Sequence, residues 1–170
     1  PIIRQTLHGI CASSPHEAML GREEFGREVH TFAAAYSEED IRQVLPISDH
    51  NIFNSFNQWH RFKPLVIENL RHIHVGIRVN PDHSEVEIPI YDPCAPCSRL
   101  GVLCDQFKGQ SLDGISGLHF HTLCEKNADA LERTLAVFEK KLQDVIPQMD
   151  WINFGGGHHI TRNDYDVDLL

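Results

Sequence analysis

Short apolar segments alternate with well-marked helix starts along this chain, at intervals of about 20 residues. Each of the first three segments is followed by a serine that heads a helix-forming run. A serine at this position accepts a hydrogen bond from the first helical turn and so fixes where the helix begins. Strands and helices in alternation predict a parallel sheet with helical crossovers. The three segments and their serines are 9–12 with Ser14, 29–32 with Ser37 and 51–53 with Ser55.

The alternation continues through three further predicted strands, at 75–79, 115–121 and 151–154. Between the first two of these, prolines interrupt the pattern, and the segment 81–96 predicts a long irregular connection. The stretch 127–146 carries apolar residues at helical spacing and predicts a helix that faces the core. The pattern as a whole therefore predicts six βα units in succession.

Six such units favour a TIM-type (β/α)8 barrel over a doubly wound sheet, since no glycine-rich fingerprint follows the first strand. A barrel of this kind has eight strands and about 200 residues or more. This chain has 170 residues. We therefore predict an α/β fold that holds about six βα units of a larger barrel.

Composition and charge limit the classes of function. The chain is 41% apolar with a formal net charge of −9, and it contains no apolar run of the ~18 residues that a membrane span needs. Its 15 basic residues are scattered along the sequence, which argues against a nucleic-acid surface because phosphate neutralisation needs clustered cations. Five cysteines, an odd number, indicate reduced thiols in the cytoplasm rather than a disulfide framework.

Candidate functional residues fall at the ends of predicted strands, where TIM-type barrels carry their chemistry. Gly155, Gly156 and Gly157 follow the last predicted strand. A run of glycines lets backbone N–H groups converge on an anion such as a phosphate, although a tight strand-to-loop turn would also use glycine. The other candidates at strand ends are Arg78, His121 and Cys124.

Two histidines, His119 and His121, share one face of the fifth predicted strand because side chains alternate along a strand. A lone histidine in such a position is more often a satisfied core residue than a functional one. Two of them on one face, with a glycine loop on a later strand, favour a functional site.

Several motifs resemble those of the carboxynorspermidine (carboxyspermidine) decarboxylases, which depend on pyridoxal 5'-phosphate and act in polyamine biosynthesis. In fold, that family is related to ornithine and diaminopimelate decarboxylases and to alanine racemase. The resemblance covers essentially the whole chain. The motifs, in order, are ASSPHEA at 12–18, GREEFG at 21–26, YDPCAP at 91–96, SRLG at 98–101, GLHFHTLCE at 117–125 and NFGGGHHIT at 153–161.

The resemblance implies a lyase that binds pyridoxal 5'-phosphate at the C-terminal ends of the barrel strands, acts on a small polyamine precursor and forms a homodimer. His121 matches the imidazole that stacks on the cofactor ring, and Gly155, Gly156 and Gly157 match the loop that receives its phosphate. Arg78 matches a strand-end arginine near the cofactor. Cys124 lies where relatives place a small polar residue beside the phosphate.

The resemblance also implies residues that this sequence does not supply. The Schiff-base lysine is expected upstream of Pro1, and the acidic residue that faces the pyridine nitrogen is expected after the next strand. Residues 1–170 are thus predicted to form barrel strands two to seven, without the first and last strands and without a C-terminal β domain. As an isolated fragment the chain is expected to be inactive.

Alternative interpretations remain open at this point. The first is a metal-dependent hydrolase on the same barrel, whose ligands would come from the histidines His119, His121, His158 and His159. The second is a non-catalytic relative that binds pyridoxal 5'-phosphate. Cys94 and Cys97 form a CxxC pair, but a redox pair acts at a helix N-terminus and a zinc site needs four ligands. The sequence around this pair supplies neither.

Overall fold

The computed structural model describes residues 2–170, and the chain divides into two compact units. The first contains the chain up to Ile77 together with Leu112–Gly117, and the second contains Arg78–Ser111 with Leu118–Leu170. The strands are β1 (Gly9–Ala12), β2 (Glu28–Phe32), β3 (His50–Phe53), β4 (His74–Asn80), β5 (Val102–Leu103), β6 (Gly117–His119) and β7 (Trp151–Asn153). The α-helices are α1 (Pro15–Leu20), α2 (Glu38–Val44), α3 (Phe56–Glu68) and α4 (Ala128–Lys141).

The sheet has the strand order β1-β2-β3-β4-β6-β7, and the two-residue strand β5 pairs with the end of β4. The pairings of β1 with β2, β2 with β3, β3 with β4 and β4 with β5 are all parallel. Parallel neighbours in sequence order are what βα crossovers produce. The predicted succession of parallel strands is therefore present.

Helix starts lie where the capping residues predict them. The side chains of Ser14, Ser37 and Ser55 each accept a hydrogen bond from a backbone N–H in the first turn of the helix that follows. Ser37 forms a reciprocal capping box with Asp40. Asn127 caps α4 by accepting from the N–H of Ala128.

The prediction of six βα units is wrong in one respect, because α-helices follow only β1, β2, β3 and β6 within the described residues. After β4 the chain passes through short 3-10 turns and β5, since several prolines there lack the N–H donors that a helix needs. The predicted strand 115–121 is limited to β6, and the predicted helix 127–146 ends at Lys141 before a 3-10 turn that contains Pro147.

One carboxylate in the first unit contacts three neighbouring segments of chain. Asp49, which directly precedes β3, accepts hydrogen bonds from the backbone N–H of Val29 at 2.9 Å, from Arg22 at 2.5 Å and from Arg71. Its own N–H donates to the carbonyl of Val29, and its carbonyl accepts from the N–H of His74. Asp49 thus connects the starts of β2, β3 and β4.

Aromatic side chains in the core of the second unit pack beside the segments that follow β6 and β7. Phe120 is fully buried, with its ring 4.9 Å from that of Phe138 on α4 and 5.5 Å from that of Phe154. Its N–H donates to the carbonyl of Asn153. This packing holds the segments after β6 and β7 side by side. No helix among residues 2–170 has the length and apolarity to cross a membrane.

Candidate functional site

The segments after β6 and β7 bring the predicted histidine and the predicted glycine loop together in the second unit. Nδ1 of His121 accepts a hydrogen bond from the backbone N–H of Gly156 at 3.1 Å. Partial burial and the nearby charge of Arg78 lower the pKa of His121. The imidazole is therefore neutral at pH 7, and its proton lies on Nε2 because Nδ1 is already an acceptor.

Arg78 is a buried arginine on β4, only 6% exposed. Its Nη2 atom donates to the carbonyl oxygen of His121 at 3.3 Å. Burial lowers the pKa of the guanidinium from its usual value, but an arginine side chain stays charged because that value is above 12. The arginine thus places a fixed positive charge beside His121 and holds its backbone.

The three glycines of the loop have different conformational requirements. Gly155 and Gly157 have φ of +74° and +92°, in the left-handed region that side chains disfavour. A Cβ on either would overlap a carbonyl group, that of Phe120 for Gly155 and that of Leu123 for Gly157. Gly156 is outside the left-handed region, and a Cβ there would be in ordinary contact with the His121 ring at 3.6 Å.

Asn153, the last residue of β7, is a site residue that the sequence analysis did not identify. Its Oδ1 accepts a hydrogen bond from the N–H of Gly155 at 2.8 Å and lies 3.1 Å from Nδ1 of His119. His119 is buried, and burial together with the charge of Arg78 lowers its pKa to about 4. The only sequence signal was that an amide lies two residues before the first glycine of the loop, where Asn often forms an Asx turn.

Cys124 is exposed and lies in the segment that runs alongside the glycine loop. In that segment the N–H of Lys126 donates to the carbonyl of Gly157, and the carbonyl of Lys126 accepts from His159. Cys124 also lines a cavity of about 190 Å³, in which Lys126 pairs with Glu87 at 3.0 Å. No hydrogen bond joins the Cys124 side chain to the glycines within residues 2–170, so its predicted phosphate contact stays a prediction.

Comparisons with known proteins find decarboxylases of similar sequence. The chain is 42% identical to carboxyaminopropylagmatine decarboxylase of Synechocystis and 41% identical to carboxynorspermidine/carboxyspermidine decarboxylase of Campylobacter jejuni, in each case over 99% of this chain and 43% of the relative. The predicted resemblance is confirmed. The chain spans less than half the length of these curated relatives, and no family model matches it.

Solved structures give the same result. The crystal structure of carboxynorspermidine decarboxylase from Campylobacter jejuni, complexed with norspermidine, matches 99% of this chain and 42% of that chain with a TM-score of 0.87 and 40% identity. A diaminopimelate decarboxylase matches with a TM-score of 0.77 at 14% identity. At that identity the match is evidence for the fold alone. The predicted fold class, part of a TIM-type barrel, is confirmed by these neighbours.

Three of the four histidines of the metal interpretation, His119, His121 and His158, each engage another protein group through Nδ1. Besides the contacts of His119 and His121, Nδ1 of His158 lies 2.6 Å from the hydroxyl of Tyr165. Within residues 2–170, the group of side chains close enough to share a metal ion is a different one, formed by Glu28, His30 and His50 of the first unit.

That group of the first unit is arranged for ring packing rather than for metal binding. The rings of His30 and His50 are stacked, 4.0 Å apart and inclined by 10°. In parallel stacked rings the nitrogen lone pairs run side by side, so they do not converge on one ion as zinc ligands must. His74 continues the stack on His50 at 4.8 Å.

The CxxC pair shows no sign of redox activation. Cys94 and Cys97 are free thiols in a loop of turns after a 3-10 helix, and no α-helix begins at either. Burial raises the pKa of Cys94 to about 11, whereas reactive thiols have a lowered pKa. Cys97 has a φ of +65°, a conformation in which glycine is more favourable.

None of the five lysines of the chain is the last residue of a strand within residues 2–170. Lys63 on α3 pairs with Asp113, and Lys126 pairs with Glu87. Lys140 and Lys141 end α4, and Lys108 follows a 3-10 turn. The chain thus supplies no strand-end lysine among its described residues.

Proposed function

We propose that this chain is part of the barrel of a pyridoxal 5'-phosphate-dependent decarboxylase. Its substrate would be carboxynorspermidine or carboxyspermidine, which it converts to norspermidine or spermidine in polyamine biosynthesis. The observation that carries the proposal is the match of the whole chain, at 40–42% identity, to enzymes named for this kind of reaction. The contact between His121 and Gly156, which joins the two predicted cofactor elements, supports it.

The residues after β7 fit the phosphate of the cofactor. The N–H groups of Gly155 and Gly156 are already bonded, to Asn153 and to His121. The next two N–H groups along the loop, those of Gly157 and His158, have no acceptor within residues 2–170. Two adjacent unsatisfied donors in a glycine loop suit a phosphate dianion. We therefore propose that Gly157 and His158 supply backbone donors, while Gly155 and Gly156 shape the loop.

His121 and Arg78 fit the ring of the cofactor. When bound, pyridoxal 5'-phosphate supplies an electron sink for the carbanion that loss of CO₂ leaves behind. The neutral imidazole of His121 presents an aromatic face, which a planar ring accepts better than a second point charge. The buried guanidinium of Arg78 fixes the His121 backbone and therefore the position of that face.

The substrate class follows from the relatives and agrees with the charge of the chain. A polyamine precursor is a polycation, and the chain has a net charge of −9, which favours the approach of cations over that of anions. A relative at 40% identity is known in complex with norspermidine. The relative from Synechocystis is named for carboxyaminopropylagmatine, so that compound belongs among the substrates to be tested.

The remaining catalytic parts are proposed to come from outside these 170 residues. The Schiff-base lysine and the acidic partner of the pyridine nitrogen would lie on the first and last barrel strands, and a C-terminal β domain and a second subunit would complete a homodimer. We propose a cytoplasmic enzyme.

The test is an activity assay on the full-length protein, purified with and without pyridoxal 5'-phosphate. Carboxynorspermidine, carboxyspermidine and carboxyaminopropylagmatine are supplied in turn, and CO₂ and the product amine are measured. We expect cofactor-dependent release of CO₂ with at least one of the three. Cofactor binding without turnover of any of them would leave the non-catalytic relative as the better interpretation.

A further inference from the structure

The orientation of the Asn153 amide is fixed by its neighbours. The backbone N–H of Gly155 can only donate, and it points at the Asn153 side chain from 2.8 Å. The atom that faces it must therefore be the amide oxygen rather than the nitrogen. The same oxygen lies 3.1 Å from Nδ1 of His119.

An oxygen in that position determines the tautomer of His119. A carbonyl oxygen is only an acceptor, so Nδ1 of His119 must carry the proton. The ring is buried with the Arg78 guanidinium nearby, and both effects lower its pKa and keep it neutral. A neutral ring has one N–H proton, so Nε2 of His119 carries none.

The opposite arrangement holds for His121, two residues further along the chain. Its Nδ1 accepts from the N–H of Gly156 at 3.1 Å, so the single proton of this neutral ring lies on Nε2. The charged and titratable side chains that face His121 are Arg78 and His158. Both disfavour a second proton on the ring.

We infer that Asn153 is a positioning residue that fixes His119 and His121 as opposite tautomers of the neutral imidazole. Its oxygen holds the Nδ1 proton of His119 directly. By binding the N–H of Gly155, the same oxygen sets the turn that aims the next N–H, that of Gly156, at His121. One amide thus controls both rings.

The consequence for the site rests on the proposed function. His121 would offer the cofactor a neutral ring with its only proton on Nε2. A substitution that frees the loop would allow each ring to sample both tautomers. The inference itself concerns proton positions and can be tested without measuring activity.

The direct test is nuclear magnetic resonance of the full-length protein with ¹⁵N-labelled histidine. Two-bond ¹H–¹⁵N correlations of the ring distinguish the two neutral tautomers, and His119→Gln and His121→Gln variants assign the signals. We expect the Nδ1–H form for His119 and the Nε2–H form for His121 at pH 8, and we expect the His119 form to persist as the pH is lowered to about 5. The same tautomer in both rings would overturn the inference.

Three asparagine variants separate positioning from a general structural effect. Asn153→Leu removes the acceptor, and we expect mixed tautomers at both histidines and about tenfold weaker binding of pyridoxal 5'-phosphate. Asn153→Asp keeps the acceptor, so it should restore both tautomers while its charge raises the pKa of His119. If Asn153→Leu does not fold, Asn153→Asp still tests the inference, because the pKa of His119 in that variant should be higher than in wild type.

Asn127→Ala is the matched control, because the Asn127 oxygen likewise accepts two hydrogen bonds, here from the backbone N–H groups of Ala128 and Asp166. Within residues 2–170 no histidine is hydrogen-bonded to that oxygen. We expect this variant to be less stable and to leave both tautomers unchanged. Wild-type tautomers in Asn153→Leu, or altered tautomers in Asn127→Ala, would contradict the assignment. The expected tautomers in a protein without decarboxylase activity would uphold the inference and overturn only the proposed function.

Discussion

Gly157 lies directly against the carbonyl group of Leu123, and this contact closes the loop after β7 onto the segment after β6. A side chain on Gly157 would overlap that carbonyl group, and the φ of +92° is unfavourable for any other residue. The neighbouring Gly156 has neither constraint. Glycine is therefore required at 155 and 157, whereas position 156 can accept a side chain.

The first prediction compares two alanine substitutions in this loop. Gly157→Ala should destabilise the full-length protein by about 2 kcal/mol or more, since the left-handed backbone alone costs an alanine about 1–2 kcal/mol and the overlap adds to it. Gly156→Ala should stay within about 0.5 kcal/mol of wild type. Chemical denaturation of the three proteins measures the difference. Equal losses at the two positions would show that the loop conformation is not the one described.

The second prediction concerns the stacking ring. His121→Ala removes an aromatic face and should weaken binding of pyridoxal 5'-phosphate by about 1 kcal/mol, or roughly fivefold. Titration followed by the absorbance of the bound cofactor gives the affinity. His159→Ala is the control, because only the backbone of His159 contacts Lys126. An affinity unchanged by His121→Ala would place the cofactor elsewhere.

The third prediction separates the decarboxylase from the metal-dependent hydrolase. Dialysis of the active full-length protein against a chelator should leave decarboxylation unchanged, because the group of side chains within residues 2–170 that could share a metal ion contains none of His119, His121, His158 and His159. Removal of pyridoxal 5'-phosphate should abolish activity, and its return should restore it. Activity that is lost on chelation and recovered with zinc would contradict the assignment.

The fourth prediction concerns pH and the histidine stack of the first unit. Burial and the neighbouring rings of His30 and His74 lower the pKa of His50 to about 4, against the opposing effects of Glu28 and Asp49. The unfolded chain binds a proton at this residue between pH 6.5 and 4 and the folded chain does not, so acidification through this window lowers the free energy of unfolding. Because the ring is partly exposed, we expect about 1 kcal/mol between pH 7 and 5.

His50→Phe tests this assignment, since phenylalanine keeps a ring in the stack and removes the titrating group. The variant should lose about 1 kcal/mol less than wild type between pH 7 and 5, as measured by urea denaturation at both pH values. A variant that loses as much stability as wild type would show that other groups cause the acid sensitivity.

The fifth prediction concerns the isolated 170-residue chain. Within the described residues β1 pairs only with β2, and an apolar cavity of about 410 Å³ lies beside it, lined partly by Ile10, Leu20 and Phe25. An unpaired strand edge beside apolar surface promotes association. We expect the isolated chain to aggregate or to be only marginally folded, as judged by size-exclusion chromatography and thermal melting. A soluble monomer with a sharp two-state transition would contradict this.

Much of the fold could be predicted because local signals determine it. The serine caps fixed three helix starts, and the predicted strands 9–12 and 29–32 agree with β1 and β2 to within one residue. The region after β4 could not be predicted in detail, because its turns depend on long-range contacts such as that of Asn80 with Cys104. Apolar spacing also continued past Lys141, where the helix ends.

The candidate site was predicted in part. The resemblance pointed to His121 and the glycines, and the structure joins them through Gly156. Asn153 escaped the sequence analysis because an amide gains its role only from what lies around it, here a histidine 34 residues away. The sequence also did not indicate which of the three glycines must remain glycine, because that depends on where the carbonyl groups of Phe120 and Leu123 lie.

Asp49 helps to set the register of the strands in the first unit. Its carboxylate and its backbone form hydrogen bonds with Val29 on β2 and with His74 on β4. All of these hydrogen bonds can form only when β2, β3 and β4 are in their native register. A slip of one position would turn every side chain of a strand to the opposite face and would leave the two arginines without their shared partner. A single carboxylate therefore favours the native register of three strands, because a misaligned strand forfeits its hydrogen bonds to Asp49.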